Sequence, residues 1–318
     1  MSSATAAVFF SETVLSLYPI LIKKVPTNLN TQTLARFLIY PLAALIVGGF
    51  KPLLNAYSHG AAKNIGLGAV NVAHIASSYL AFQQLPAGIA MSLFYTYPLW
   101  NLIGASIVFG EPFPWHLIHI VLIALFGAGL VAFSRTPTEK ESGKDIAWTG
   151  VAAALGAALT ETLLFLSVKS VPKETPYFSV HQIYLGGLPI LIGYLLYKYL
   201  NPSESPPCDA GRSVCPSDVL KDESTSQKTK KEPVIDWTWK TWLPLLAFNG
   251  ILGFAGYVLR FWSIPRLATI LYSILSMFGV LAAFTWGHFL ADEPVQPQGL
   301  VGATILTAAI GFLRYYST

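Results

Sequence analysis

Four ionisable side chains interrupt otherwise apolar stretches of this chain: Glu12, Arg36, Glu161 and Arg260. If those stretches cross a membrane, each charge lies inside it. A charge at the bilayer centre costs about 2.5–3.5 kcal/mol on insertion scales, so such a residue faces the bundle interior and has a partner. Two carboxylates facing one cavity could bind a cation, or one of them could carry a coupling proton. The structural alternative is a hydrogen-bonded or protonated Glu packed against a neighbouring helix. Both readings stay open for Glu12 and Glu161. Arg36 shares a helical face with Thr33 and Tyr40, early enough in its segment to snorkel to a surface. Pairing with Glu12, contact with an anionic solute and a purely structural role are its three alternatives. Arg260 ends a stripe of Asn249, Gly253 and Gly256 and, lying near the segment end, reads as interfacial.

Uncharged polar residues fall on faces too. Asn71, His74 and Ser78 share one; Ala90, Phe94, Tyr97, Asn101 and Gly104 share another. Tyr177, His181 and Tyr184 form a third, beside Gln182, and Tyr272, Ser276, Gly279 and Ala283 a fourth. Any one stripe alone reads equally as a helix–helix hydrogen bond. Together they sort the segments into cavity liners and outriders. The candidate substrate-binding set is Glu12, Arg36, Asn71, His74, Tyr97, Asn101, Glu161, His181 and Tyr272. No catalytic constellation accompanies it: His116 and His119 follow a loop corner and have no partner pattern, so no enzyme is expected. No cofactor or metal is expected either. The two cysteines, Cys208 and Cys215, have no second pair and the wrong spacing for a zinc ribbon.

The elements that must position these residues are apolar. Of 318 residues 53% are hydrophobic and 11% charged, against about 25% charged in a soluble domain. The composition predicts an all-α polytopic membrane protein. Ten apolar segments are expected at 4–22, 31–49, 63–84, 87–109 and 115–133, then 146–168, 176–197, 242–262, 268–290 and 298–313. The first has no basic stretch ahead of it, so no cleavable signal is expected. Residues 136–145 read as a linker between units 1–135 and 146–318, and 198–240 as a long polar loop. Trp237, Trp239 and Trp242 read as an interfacial anchor at its end. The net charge of +4 comes from loops and points to no nucleic-acid partner. Pro19, Pro41, Pro98, Pro189 and Pro244 sit inside segments, where each could kink a helix.

The chain repeats. Residues 86–115 and 265–294 each run from a loop Pro through a membrane-length helix to an acid-Pro corner, Glu111-Pro112 and Glu293-Pro294. The same offset relates Gly129 to Gly311. Ser11-Glu12-Thr13 reads like Thr160-Glu161-Thr162, and Lys24-Val25-Pro26 like Ser170-Val171-Pro172. Five segments per unit is an odd number, so the second unit enters from the opposite side. That predicts ten transmembrane helices as a 5+5 inverted repeat, an architecture that secondary transporters use to alternate access around a midplane site.

The corners, the Gly-rich segments after them and the early Arg36 resemble the drug/metabolite transporter superfamily, in its EamA-like branch. The resemblance covers nearly the whole chain outside 198–240. It implies an export or exchange carrier for small polar metabolites, with helices 1–4 and 6–9 lining the cavity and helices 5 and 10 outside it. It also implies cytosolic termini. The long loop would then be luminal or extracellular, where Cys208 and Cys215 could form a small disulfide. Lysine and arginine counts favour the opposite orientation with the long loop and decide nothing without it. The chain lacks the Lys-Arg pair of sugar-phosphate translocators and the Gly-Ala-Leu-Asn-Lys stretch of GDP-sugar carriers. The expected function is a secondary-active carrier for a small polar or charged metabolite; the alternative is a scaffold, receptor or channel without carrier activity. Its partners are the solute and the bilayer. Proton coupling, antiport, a homodimer and the choice of organelle or plasma membrane stay open.

Overall fold

The computed structural model describes residues 2–25, 27–58, 60–85, 87–132, 148–201, 233–291 and 295–316. The linker, both cysteines and Glu293-Pro294 lie outside them. Among the described residues every regular element is helical. Seven spans are long and apolar enough to cross a membrane: Ser3–Ile22, Leu29–Gly48, Ala61–Gln84, Trp148–Lys169, Pro176–Leu200, Trp239–Arg266 and Thr269–Leu290. Trp115–Val131 and Pro297–Phe312 are shorter apolar helices. Large apolar side chains such as Ile46 and Ile107 point outward, while Glu12, Arg36, Glu161 and Arg260 are all buried. This inverts the usual arrangement in water and suits lipid. It is the pattern of an integral multi-pass membrane protein.

The helices run in chain order as α1 (Ser3–Leu15), α2 (Tyr18–Lys24), α3 (Leu29–Gly48), α4 (Phe50–Ser58), α5 (Ala61–Gln84), α6 (Ala87–Phe94), α7 (Tyr97–Phe109) and α8 (Ile118–Ala132). Then come α9 (Trp148–Lys169), α10 (Pro176–Leu200), α11 (Trp239–Ala247), α12 (Phe254–Ser263), α13 (Thr269–Ser276), α14 (Phe278–Ala291) and α15 (Pro297–Tyr316). Local chemistry fixes several ends. The Asn28 side chain accepts from the Thr31 amide and starts α3. Thr175 caps α10, whose first residue is Pro176. Gly110, at φ 66°, stops α7 in the left-handed conformation a C-terminal Gly favours. The short helix α4 occupies a stretch that the sequence read as a connection.

Three spans that read as single helices are broken, α1 from α2, α6 from α7 and α13 from α14. Each break carries the same device. Ser16 Oγ donates to the Thr13 carbonyl at 2.8 Å, Thr96 Oγ1 to Leu93 at 2.8 Å, and Ser276 Oγ to Ser273 at 2.8 Å. A hydroxyl that binds a carbonyl three residues back competes with the helical ladder. Pro19 and Pro98 reinforce the first two, each near the start of the next helix, where no ladder N–H is needed. Pro41 and Pro189 are carried inside unbroken helices. A π-helical turn at Phe248–Gly253 follows Pro244.

Packing places α5 against α9 and α10, α1 against α12, α3 against α10, and α7 against α9 and α13. The approach of α5 to α10 requires glycine on both sides: a Cβ on Gly68 would sit 2.1 Å from the Gly186 carbonyl carbon. Helices α8 and α15 pack on each other, with Val121 and Leu306 fully buried between them.

Candidate functional site

Glu12, on α1, is completely buried. Its Oε2 accepts from the Tyr95 hydroxyl at 2.7 Å, and its Oε1 lies 3.6 Å from Arg260 Nε. Arg260, on α12, also places Nη2 2.9 Å from Glu161 Oε1 on α9. Two carboxylates from distant parts of the chain therefore share one guanidinium. Two tyrosines complete its shell: Nε donates to the Tyr272 hydroxyl and Nη2 to the Tyr97 hydroxyl, each at 2.9 Å. The sequence reading of Arg260 as interfacial is corrected here. So is the pairing of Glu12 with Arg36, because α12, not α3, packs on α1 and brings Arg260 to Glu12.

His74, on α5, closes the other side of Glu161, with Nε2 3.3 Å from Oε2. Its Nδ1 faces the Ala157 carbonyl at 3.2 Å. The Thr160 hydroxyl beside it donates to the Gly156 and Ala157 carbonyls. Thr160 Oγ1 also lies 3.3 Å from Nδ1, while Nε2 faces the Glu161 carboxylate.

The helix breaks converge here. Tyr95 lies in the break between α6 and α7, and Glu12 is one turn before the break after α1. Gly279, one residue past the start of α14, lies under them: a Cβ there would stand 1.7 Å from Tyr95 Oη and 3.0 Å from Glu12 Oε2. The close approach of a glycine backbone gives the Tyr95–Glu12 bond its room.

Arg36 occupies a second cluster. It is 2% exposed and its guanidinium lies over the rings of Tyr257 (4.7 Å), Tyr18 (4.8 Å), Tyr40 (5.4 Å) and Tyr184 (6.0 Å). Nε donates to the Tyr184 hydroxyl at 2.9 Å. Tyr18 and Tyr40 share a short hydroxyl–hydroxyl bond, and Tyr18 donates to Asn249 Oδ1 at 2.8 Å. Tyr257 joins the two clusters, its ring also 6.0 Å from Arg260 Cζ.

Of the nine candidates, Glu12, Glu161, His74, Tyr97 and Tyr272 therefore meet around Arg260, and Arg36 lies across Tyr257 from them. Asn71, Asn101 and His181 are buried but join neither network directly. Asn71 Nδ2, both amide atoms of Asn101 and both His181 ring nitrogens have no hydrogen-bond partner among the described residues. Sequence reasoning missed Tyr95, whose register cannot be projected across a break. It also missed Tyr257, although that residue sits one turn before Arg260 on the same helix.

Polar ties hold both ends of the bundle. At the end bearing the first corner, Glu111 Oε1 pairs with Lys169 Nζ at 2.8 Å and Oε2 accepts from Thr269 at 2.6 Å. Partial burial pushes the Glu111 carboxyl up, but hydrogen bonds from Lys169 and Thr269 outweigh it and hold the group below its ordinary value. At the other end the Asp236 amide donates to Thr31 Oγ1 at 2.9 Å, and Asn28 Nδ2 donates to the Pro233 carbonyl at 2.8 Å. Hydrogen bonds from Thr241 and from the Thr238 amide hold the Asp236 carboxyl below its usual range. The indole of Trp242 donates to the Asp236 carbonyl, and Trp237 stacks on Trp242.

No family model matches the sequence, and no curated protein matches it. Solved structures do match. One crystal structure of a protein superposes with a TM-score of 0.66 over 97% of this chain and 96% of its own, at 16% sequence identity. At that identity the likeness speaks to the fold alone.

Proposed function

We propose that this chain is a secondary-active carrier of the drug/metabolite transporter type, moving a small polar or charged metabolite by alternating access around a midplane site. The observation that carries this reading is the convergence of Glu12 and Glu161 on one buried Arg260. The two acids occupy matching places in the two halves of the sequence, and a purely structural ion pair would need only one of them. Support for a ten-helix 5+5 inverted repeat comes from the packing. Exchanging the halves carries one contact into another: α5 lies against α9 as α12 lies against α1, α7 against α9 as α14 against α1, and α6 against α14 as α13 against α7. The contacts α3 with α10 and α8 with α15 each map onto themselves.

The mechanism follows from the shared guanidinium. Arg260 carries one positive charge against two carboxylates, and His74 Nε2 lies beside the second of them. Delivering a proton to one carboxylate, or binding a cationic group, changes which carboxylate keeps Arg260. Because Glu12 and Glu161 sit on helices of opposite halves, the exchange shifts one half against the other. That is a two-state element which a solute or proton can bias. The broken spans around Glu12 supply the joints.

The test is counterflow in proteoliposomes, using the solute that most raises the melting temperature of the purified protein. A carrier gives saturable, trans-stimulated uptake. Glu12→Gln should insert and fold yet lose most transport, and Glu161→Gln should lose a comparable share because its contact to Arg260 is the shorter one. Non-saturable flux would make the protein a channel. A stabilising solute with no flux would make it a receptor or scaffold. Undiminished counterflow in Glu12→Gln would remove that residue from the mechanism.

A further inference from the structure

Among the described residues Arg36 is a buried cation with no anion beside it. Among the described residues no carboxylate lies within 4.0 Å of it, and its Nη2 has no hydrogen-bond partner. Arg260 has two carboxylates for comparison. A guanidinium is always charged, so it cannot escape burial by losing its proton. The tyrosine faces around it offset part of the cost through their ring quadrupoles.

The hydroxyl bonds around this cation leave a second free donor. The Tyr18 proton goes to Asn249, so Tyr40 must be the donor in the Tyr18–Tyr40 bond. Asn249 Nδ2 is spent on the Leu245 carbonyl. Tyr184 accepts from Arg36 Nε, and its own proton has no acceptor among the described residues. Tyr79 also hydrogen-bonds Arg36, and the box still offers Arg36 Nη2 and the Tyr184 O–H as donors next to one positive charge. A group that only accepts hydrogen bonds and carries one negative charge matches it. That is a carboxylate. A phosphate monoester carries about 1.5–2 negative charges at pH 7, and its second charge would meet no cation here. An ammonium would bring donors to donors. Tyr257, which touches both arginines, sets the site beside the Glu12–Arg260–Glu161 network.

We infer that Arg36 and Tyr184, within the box of Tyr18, Tyr40 and Tyr257, form an anion subsite that takes the carboxylate of a singly charged organic acid. The inference rests on the carrier reading for the movement of that acid, and not for its binding.

The test uses the full-length protein in nanodiscs and four matched probes: benzoate, its neutral isostere benzamide, benzylamine and phenyl phosphate. Dissociation constants come from calorimetry. Benzoate should bind at least tenfold tighter than each of the others. Arg36→Gln, which removes the charge and keeps donors, should bring the benzoate-to-benzamide ratio close to one. Tyr184→Phe keeps the ring, removes one donor and should weaken benzoate about tenfold or more, the range for a hydrogen bond to a charged group. It serves as the independent variant if substitution of Arg36 prevents folding. Equal binding of benzamide or benzylamine, an unchanged ratio in both variants, or no benzoate binding up to about 10 mM would each overturn the subsite. Selective benzoate binding without benzoate counterflow would leave the subsite standing and sink the carrier reading. Counterflow of other solutes with no preference for benzoate would do the reverse.

Discussion

Replacing Arg260 with Gln should do more damage than any other single substitution in the bundle, and the damage should be reversible by removing charge elsewhere. In the native protein the guanidinium lies 2.9 Å from Glu161 and 3.6 Å from Glu12, and all three residues are almost entirely buried. Removing one partner of a buried ion pair costs about 3–5 kcal/mol, because it leaves an uncompensated charge in a low dielectric. At about 2 °C per kcal/mol for a chain of this size, the melting temperature of the detergent-solubilised protein should fall by about 6–10 °C. A neutral set, Glu12→Gln with Glu161→Gln and Arg260→Gln, should be more stable than Arg260→Gln alone, since no buried charge is left unpaired. The assay is a thermal unfolding series on wild type, Arg260→Gln, Glu12→Gln/Glu161→Gln and the triple variant, read as a mutant cycle. A single Arg260→Gln variant within about 2 °C of wild type would refute the shared-cation geometry. So would a triple variant whose losses simply add.

Gly279→Ala should drive the Tyr95 hydroxyl away from Glu12, because the new methyl would stand 1.7 Å from it. Overpacking costs about 1–3 kcal/mol and an orphaned carboxylate oxygen about 1–3 kcal/mol more; unfolding of Gly279→Ala beside Gly279→Ala/Tyr95→Phe should show the second variant recovering part of the loss. Glu111 predicts a pH dependence. Its carboxyl is held below the ordinary value, so its contribution is present above the normal carboxylate range and is lost as pH falls through the depressed folded value. The group is 35% exposed, so the loss should stay under about 1 kcal/mol. The wild-type melting temperature should drop relative to Glu111→Gln between pH 6 and pH 3, and parallel curves would show that the tie contributes nothing.

How much of this was legible in the sequence depended on the residue. Glu12 and Glu161 stand out because each is the one charged residue in its apolar segment, and the helical spans are legible because lipid demands long apolar runs. Arg260 was misread for a local reason. It lies near the end of its apolar segment, but a 3-10 turn at Ile264–Arg266 extends the helix beyond it. Arg266 takes the surface position instead, donating to the Trp262 carbonyl and lying 4.4 Å over the Trp262 ring. Tyr95 was invisible to periodicity because the face defined by Ala90, Phe94 and Tyr97 assumes one continuous helix. The break has a readable cause in Thr96 and Pro98. The break at Met277 has no proline, and only the Ser276 hydroxyl marks it. The pairing of Arg36 was beyond sequence reasoning altogether: whether α3 or α12 faces Glu12 is decided by which helices pack, not by any residue in either.

Alternating access itself can be measured without knowing the solute. Asn101 is buried at mid-bundle and its side chain has no hydrogen-bond partner among the described residues. Asn101→Cys, in a chain whose Cys208 and Cys215 are replaced by Ser, reports exposure to a membrane-impermeant thiol reagent added outside or sealed inside proteoliposomes. The carrier account predicts labelling from both sides at slow rates, with a pH step or the Glu12→Gln substitution raising one rate as it lowers the other. Labelling from one side only, or rates on the two sides that rise and fall together, would contradict it.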